Sequence, residues 1–294
     1  MPSPSLRALV AGLIDYAGLF PPASRSMHAS VERYERYRES PEAWMLGRFV
    51  VPAARLDELA AEAAPLVAAD ATPRRLSALI GDDAAADAAR IRAFNVAHAA
   101  RFVVDVAEVR AATAERIEGV TRELGELVAY VELPHDADPA TLLDAVQLSG
   151  ARAKIRTGGV TRDVFPTAEQ IARFLVRCAE RAVPFKATAG LHHPLRGEHR
   201  LTYEPDAPSA TMFGFLNVFV AGAMAAVGAG EVDLVAVLEE RQHSAFEFLA
   251  DGLRWRSHSV TLEQLASARA SFAVAFGSCS FREPVHDLQE LGLL

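Results

Sequence analysis

Short apolar runs alternate with amphipathic, alanine-rich stretches along almost the whole chain. The apolar runs cover residues 13–20, 48–52, 76–81, 102–106, 128–134, 153–158, 184–190 and 272–277. Between them, 57–68, 84–98 and 111–124 carry apolar residues at helical spacing. A further helix over 138–148 opens on Asp138-Pro139, an N-cap and first-turn pair. Thr167 and Gln170 are spaced as a capping box for a helix through residue 182. Strand and helix in strict alternation imply βα units around a parallel sheet. Eight such runs are the number that closes a barrel, so the pattern predicts the α/β class and a single (β/α)8 TIM barrel over 1–294.

The rhythm breaks once. Residues 191–260, between the seventh and eighth runs, form an insertion. It reads as a long loop over 191–211, a helix over 215–227 and a hairpin over 246–256. Asp251-Gly252 is the expected two-residue turn of that hairpin. Long βα loops of a barrel cover its active site, and this one is expected to do so.

Composition narrows the class. The net charge is −8 and no basic face stands out, which argues against a nucleic-acid partner. The two cysteines, Cys178 and Cys279, match no zinc or redox spacing. Residues 213–230 come closest to a membrane span, but Asn217 and several small residues suit a packed core helix, so no membrane partner is expected. The apolar N-terminal run contains Asp15 and lacks a basic leader, so a cytoplasmic protein is expected. A homo-oligomer is compatible with such a barrel.

Catalytic groups of a barrel sit at the C-terminal ends of its strands. The sixth run reads Lys154-Ile155-Arg156-Thr157-Gly158. Residues two apart share a face of a strand, so Lys154 and Arg156 point together into the barrel top. Two cations there lose hydration and repel, which lowers a lysine's pKa and frees a nucleophilic amine. The seventh run, Lys186-Ala187-Thr188-Ala189-Gly190, places Lys186 and Thr188 likewise. His192 and His193 follow it and are expected to carry protons rather than bind a metal. The eighth run ends Gly277-Ser278-Cys279-Ser280 before a short helix. Small residues there predict an anion pocket of backbone N–H groups with Ser278 and Ser280, and Cys279 is read as its wall. Asp105 and Glu132 are acids inside apolar runs, and Asp15 sits at the end of the first. Buried carboxylates of this kind pair with cations or act in chemistry, and both readings stand. Asn217, on an apolar helix stripe, is read as a packing or loop-anchoring polar group.

The segment from Lys154 to Ser280 resembles the second half of class I aldolases of the deoxyribose-phosphate aldolase type. In that family one strand carries a Schiff-base lysine, the next a second lysine, and the last a Gly-x-Ser-Ser phosphate loop. Lys154, Lys186 and Gly277-Ser278-Cys279-Ser280 take those places here, and Asp105 takes that of the family's proton-handling aspartate. Arg156, the histidine pair and the long insertion are not features of that family. The whole chain also resembles an uncharacterised bacterial barrel family, which implies no known activity.

The resemblance implies a lyase that needs no cofactor. Lys154 forms an iminium with a small carbonyl compound, and Lys186, Asp105, His192 and His193 assist. Arg156, Thr157, Thr188, Glu132, Asp15, Gly277, Ser278 and Ser280 hold an anionic small-molecule substrate. Two alternatives remain. A metal-dependent hydrolase or isomerase would take its ligands from Asp15, Asp105, Glu132, His192 and His193. A non-catalytic binding barrel would have its inward cations neutralised by fixed carboxylates, with no accessible pocket between them.

Overall fold

The computed structural model describes residues 2–67 and 72–294. A first helix, α1 (Pro4–Val10), precedes the barrel. The chain then runs β1 (Ile14–Tyr16), α2 (Met27–Arg38), β2 (Leu46–Pro52), α3 (Leu56–Ala63), β3 (Arg74–Leu79) and α4 (Ala84–His98). It continues through β4 (Phe102–Arg110), α5 (Ala114–Leu124), β5 (Val128–Glu132), α6 (Ala140–Leu148), β6 (Arg152–Arg156), α7 (Ala168–Glu180) and β7 (Phe185–Thr188). The insertion supplies β8 (Gly197–Arg200), β9 (Ser209–Met212), α8 (Phe215–Ala226), α9 (Glu231–Glu239), β10 (Phe246–Phe248), β11 (Gly252–Trp255), β12 (His258–Thr261) and α10 (Leu262–Ser271). Then β13 (Ala273–Ser278) closes the barrel and α11 (Arg282–Glu290) ends the chain. The barrel order is β1-β13-β7-β6-β5-β4-β3-β2, all parallel. The eight sequence runs therefore correspond to its eight strands.

Local chemistry accounts for the element ends. Thr167 and Gln170 make the expected capping box, and Thr261 with Gln264 makes a second one at α10. Asp138 accepts the Ala140 N–H at 3.0 Å and so caps α6 from two residues away. The predicted helix over 57–68 ends at Ala63, and its last residue lies outside the described ones.

The fourth strand differs most from expectation. It runs to Arg110 rather than 106, and its register with β3 shifts at Asp105. Leu76 pairs with Val104 but Ser77 pairs with Val106, so Asp105 is the extra residue of a bulge. The bulge resets which side chains face the lumen and turns Glu108 inward.

The insertion splits into two parts. Residues 197–212, expected as loop, form the β8–β9 hairpin, which lies over the barrel mouth. The remainder completes the barrel wall. Helix α8 packs between α7 and α10 against β13, and α9 lies over it. With neighbours on every side it is apolar all round, as a fully enclosed helix must be. No described helix is long and apolar enough to cross a membrane. Asn217 anchors α8: its amide donates to Val237 O and Glu240 O, both at 2.8 Å, and its Oδ1 accepts from Arg196 N at 2.9 Å.

Strands β10, β11 and β12 form a small antiparallel sheet that packs on α1 and α10, away from the mouth. Its first turn is not Asp251-Gly252. Leu249 N donates to Gly252 O at 2.9 Å, which makes Ala250-Asp251 the two turn residues. Gly252 is needed for space instead, because a Cβ there would come 2.4 Å from Val260 O.

Arg269, on α10, ties the two ends of the barrel wall together. Its guanidinium donates to Leu9 O (2.6 Å), Ala11 O (3.1 Å), Val274 O (2.7 Å) and Ala273 O. Arg269→Met would leave these carbonyls without that donor. A loss of about 3 kcal/mol is expected, read as a lower urea midpoint with an unchanged slope.

Candidate active site

The barrel lumen holds a ladder of alternating charge. Lys186 Nζ, from β7, lies 2.7 Å from Asp15 Oδ2 on β1 and 2.5 Å from Glu108 Oε1 on β4. The other Glu108 oxygen lies 2.7 Å from Lys154 Nζ on β6, which is itself 2.9 Å from Glu132 Oε2 on β5. Glu132 Oε1 then accepts from Arg110 Nε at 3.0 Å and Arg156 Nε at 3.2 Å. Ser77 Oγ donates to Glu108 at 2.6 Å, and the Arg48 N–H donates to Asp15 at 2.7 Å. Strands β1, β4 and β7 are not neighbours, so these bonds cross the lumen. Barrel lumens are usually filled by layers of branched apolar side chains, and this one is filled by ion pairs.

A cavity of about 1130 Å³ opens above the ladder, at the C-terminal strand ends. Glu108, Glu132, Lys154 and Arg156 line it from the barrel. Arg110, Arg116 and Arg200 add cations around it. The non-catalytic reading foresaw the neutralising carboxylates but excluded an open pocket, and the pocket is present.

His192 and His193 both line the cavity and both lean on α11. His192 Nδ1 is 2.9 Å from Glu283, and His193 Nδ1 is 2.6 Å from Asp287, one helical turn on. His193 also stacks on His199 of the hairpin, with ring centroids 3.5 Å apart. Burial and the neighbouring His193 push His199 down to about 4. His192 behaves oppositely. Burial alone would lower it, but its bonds to Cys279 and Glu283 carry it up to about 10.

No protein-family model and no curated protein matches this chain.

Several expected site residues are engaged elsewhere. Asp105 faces the N-terminal part of the lumen, where Arg48 holds it at 2.7 and 2.8 Å and Arg75 joins at 2.9 Å. It does not line the cavity; Glu108, three residues on, does. Thr157 is fully buried and donates to Ala189 O at 2.6 Å, fastening the β6 and β7 ends together. Asp15 anchors Lys186 beneath the cavity. Ser278 Oγ accepts from Ser280 N at 3.3 Å, and Ser280 Oγ accepts from Glu283 N at 3.2 Å. The serines thus serve their own turn, and Gly277 and Cys279 face the cavity. Thr188 lines it as expected.

The ligands of the metal reading do not converge. Among the described residues, the group with metal-ligand spacing is His286, Asp287 and Glu290, largely exposed on α11. None of Asp15, Asp105, Glu132, His192 or His193 belongs to it. The sequence reading missed Glu108, Arg110, Tyr203 and Glu283. Glu108 carried the same signal as Asp105, an acid inside an apolar run, and was hidden by ending the strand four residues early.

The ladder also corrects the expected lysine chemistry at Lys186. Burial alone would lower its ammonium, but Asp15 and Glu108 hold it well above its usual value. Burial alone would raise the Glu108 carboxyl, but Lys154 and Lys186 hold it well below the carboxylate range. A carboxyl depressed by folding adds stability above its unfolded value near 4.5, and that stability is lost as pH falls. An ammonium raised by folding adds stability below its unfolded value near 10.5, and that stability is lost as pH rises. Glu108→Gln is expected to cost about 3–5 kcal/mol near neutral pH and to flatten the acid limb. Urea unfolding at a series of pH values measures both, and an acid limb as steep as that of the unaltered protein would remove Glu108 from this role.

Proposed function

We propose that this chain is a Schiff-base, class I aldolase-like lyase acting on a small carbonyl compound with a carboxylate or phosphate group. The observation that carries the reading is the convergence of Lys154 and Lys186 on one carboxylate, Glu108, beneath an open cavity. Only Lys154 lines that cavity. Lys186 lies behind Glu108, 1 % exposed, and serves as a fixed cation. Glu108 stands on the fourth strand, where the aldolase resemblance placed Asp105, and fixes both lysines, while proton transfer falls to Glu132.

Lys154 works as a neutral amine. In the reaction its proton passes to Glu132, 2.9 Å away. The amine lone pair forms the N–C bond, the carbonyl π pair moves to oxygen, and that oxygen leaves as water with one proton from Glu132 and one from the nitrogen, which returns Glu132 to the carboxylate. Ammonium and carbonyl together thus give an iminium and one water. In the cleavage direction a β-hydroxyl yields its proton to Glu132. The adjacent C–C pair then flows into the iminium, releasing an aldehyde and leaving an enamine. Arg156 and Arg110, at the cavity, attract the anionic end of the substrate.

Borohydride reduction with pyruvate, acetaldehyde and dihydroxyacetone phosphate tests this. A stable adduct mapping to Lys154 is expected, absent from Lys154→Arg, which keeps the charge but forms no imine. Arg156→Ala is expected to raise the half-saturating concentration of an anionic probe about tenfold, the worth of one charge-assisted bond. No adduct with any of the three probes, or an adduct that persists in Lys154→Arg, overturns the assignment.

A further inference from the structure

A second constellation lines the same cavity; of its members the lyase reading draws only on His192, as a proton carrier. Cys279 follows β13 and faces His192, with Sγ 3.9 Å from Nε2. The other ring nitrogen of His192 is 2.9 Å from Glu283 Oε2. Burial would raise the Glu283 carboxyl, but His192 and Tyr203 hold it below its usual value, so it is ionised and only accepts. Nδ1 therefore carries one hydrogen, and Nε2 is the nitrogen that takes the thiol proton, giving an imidazolium–thiolate pair. Tyr203 Oη donates to the same Glu283 oxygen at 2.9 Å and lies 3.6 Å from Cys279 Sγ. Nucleophile, base and orienting acid are thus in sequence, the arrangement that activates a thiol. The sequence reading took Cys279 as wall because Glu283 and Tyr203 meet it only through the fold.

We propose that Cys279 is a nucleophile activated by His192 and oriented by Glu283, and that it takes the acyl group of an activated ester or thioester. The thiol proton moves to His192. The sulfur pair forms the S–C bond to the acyl carbon, and the carbonyl π pair moves to oxygen. That pair returns as the bond to the leaving group breaks, and the leaving oxygen or sulfur takes the proton from His192. Water completes the cycle by giving a proton to His192, attacking the thioester and releasing the acid and the thiol. The cations at the cavity favour an acyl group or leaving group with negative charge.

The groups facing His192 are Cys279, Glu283 and Tyr203, with His193 and His199 adjacent. The first two favour its protonated form, which is the partner a thiolate requires. Cys178 is fully buried in an apolar setting that raises its thiol, so it serves as an internal control.

The test is alkylation by iodoacetamide as a function of pH, with peptide mapping. An ordinary thiol is only about 1 % thiolate two pH units below its pKa near 8.5. Cys279 is expected to label about tenfold faster near pH 6.5 in the intact protein than in His192→Gln. p-Nitrophenyl acetate is expected to leave an acetyl group on Cys279. That adduct should vanish in Cys279→Ser and persist in Lys154→Arg, which separates this site from the lyase reading. Circular dichroism confirms that each variant is folded. A labelling rate that rises as for a free thiol and ignores His192→Gln overturns the proposal. So does a Cys279 that labels only after unfolding.

Discussion

Three carboxylates and two lysines form a ladder in the barrel lumen, and their alternation constrains everything above them. Charges removed from water cost several kcal/mol each unless every one is paired and hydrogen-bonded. Here each is. Asp15 meets Lys186 and the Arg48 N–H, Glu108 meets both lysines and Ser77, and Glu132 meets Lys154, Arg110 and Arg156. The carboxylates outnumber the lysines inside, and the surplus is met by the two arginines at the upper end. A well-packed apolar lumen would serve stability as well or better. An ionic lumen is what a site needs if it is to hold charged groups in fixed positions at the floor of a cavity.

The rest of the fold can be understood as support for that floor. The five charged groups come from five strands, β1, β4, β5, β6 and β7, so their spacing depends on barrel closure and on register. The bulge at Asp105 is the clearest case. Without its extra residue, β4 would turn Glu108 away from the lumen and leave both lysines short of an acid. Asp105 itself is held by Arg48 and Arg75, which pins the bulge in place. Above the floor, the β8–β9 hairpin and α11 bring His199, Tyr203, Glu283 and Asp287 against the histidines that follow β7. Elements that precede and follow β13 thus meet at the mouth, together with the loops after β1 and β3, and closing the barrel also assembles the cavity.

Much of this was legible in the sequence, for physical reasons. Apolar runs spaced by helical stretches gave the barrel, because burial on both faces of a parallel sheet leaves an unmistakable pattern. Period-two alternation put Lys154, Arg156 and Lys186 in the lumen. What the pattern could not carry was pairing between distant segments. Thr157 has the residue type of a substrate contact, yet it donates to Ala189 O, brought near by the fold, whereas Ser278 and Ser280 accept from backbone N–H groups two and three residues on. Glu108 was concealed by a bulge, which breaks the alternation on which facing is judged. The β8–β9 hairpin was read as loop because its residues alternate weakly and its partners lie mostly outside the core.

The ladder also limits where a proton can travel. Lys186 is held by Asp15 and Glu108, and releasing its proton would leave two buried carboxylates facing each other with their shared cation gone. Like charges at that separation oppose the step, so Lys186 stays charged through any cycle. Lys154 differs because it borders the cavity, and Glu132 beside it is also held by Arg110 and Arg156. A proton moved from Lys154 to Glu132 leaves those arginines free to meet an anionic substrate instead. On the lyase reading, substrate binding and amine deprotonation would be coupled by one charge balance: an incoming carboxylate or phosphate would replace Glu132 as partner of the arginines and leave Glu132 the stronger base toward Lys154. On the lyase reading, the arginines that select an anion are also the groups that let the lysine act on it.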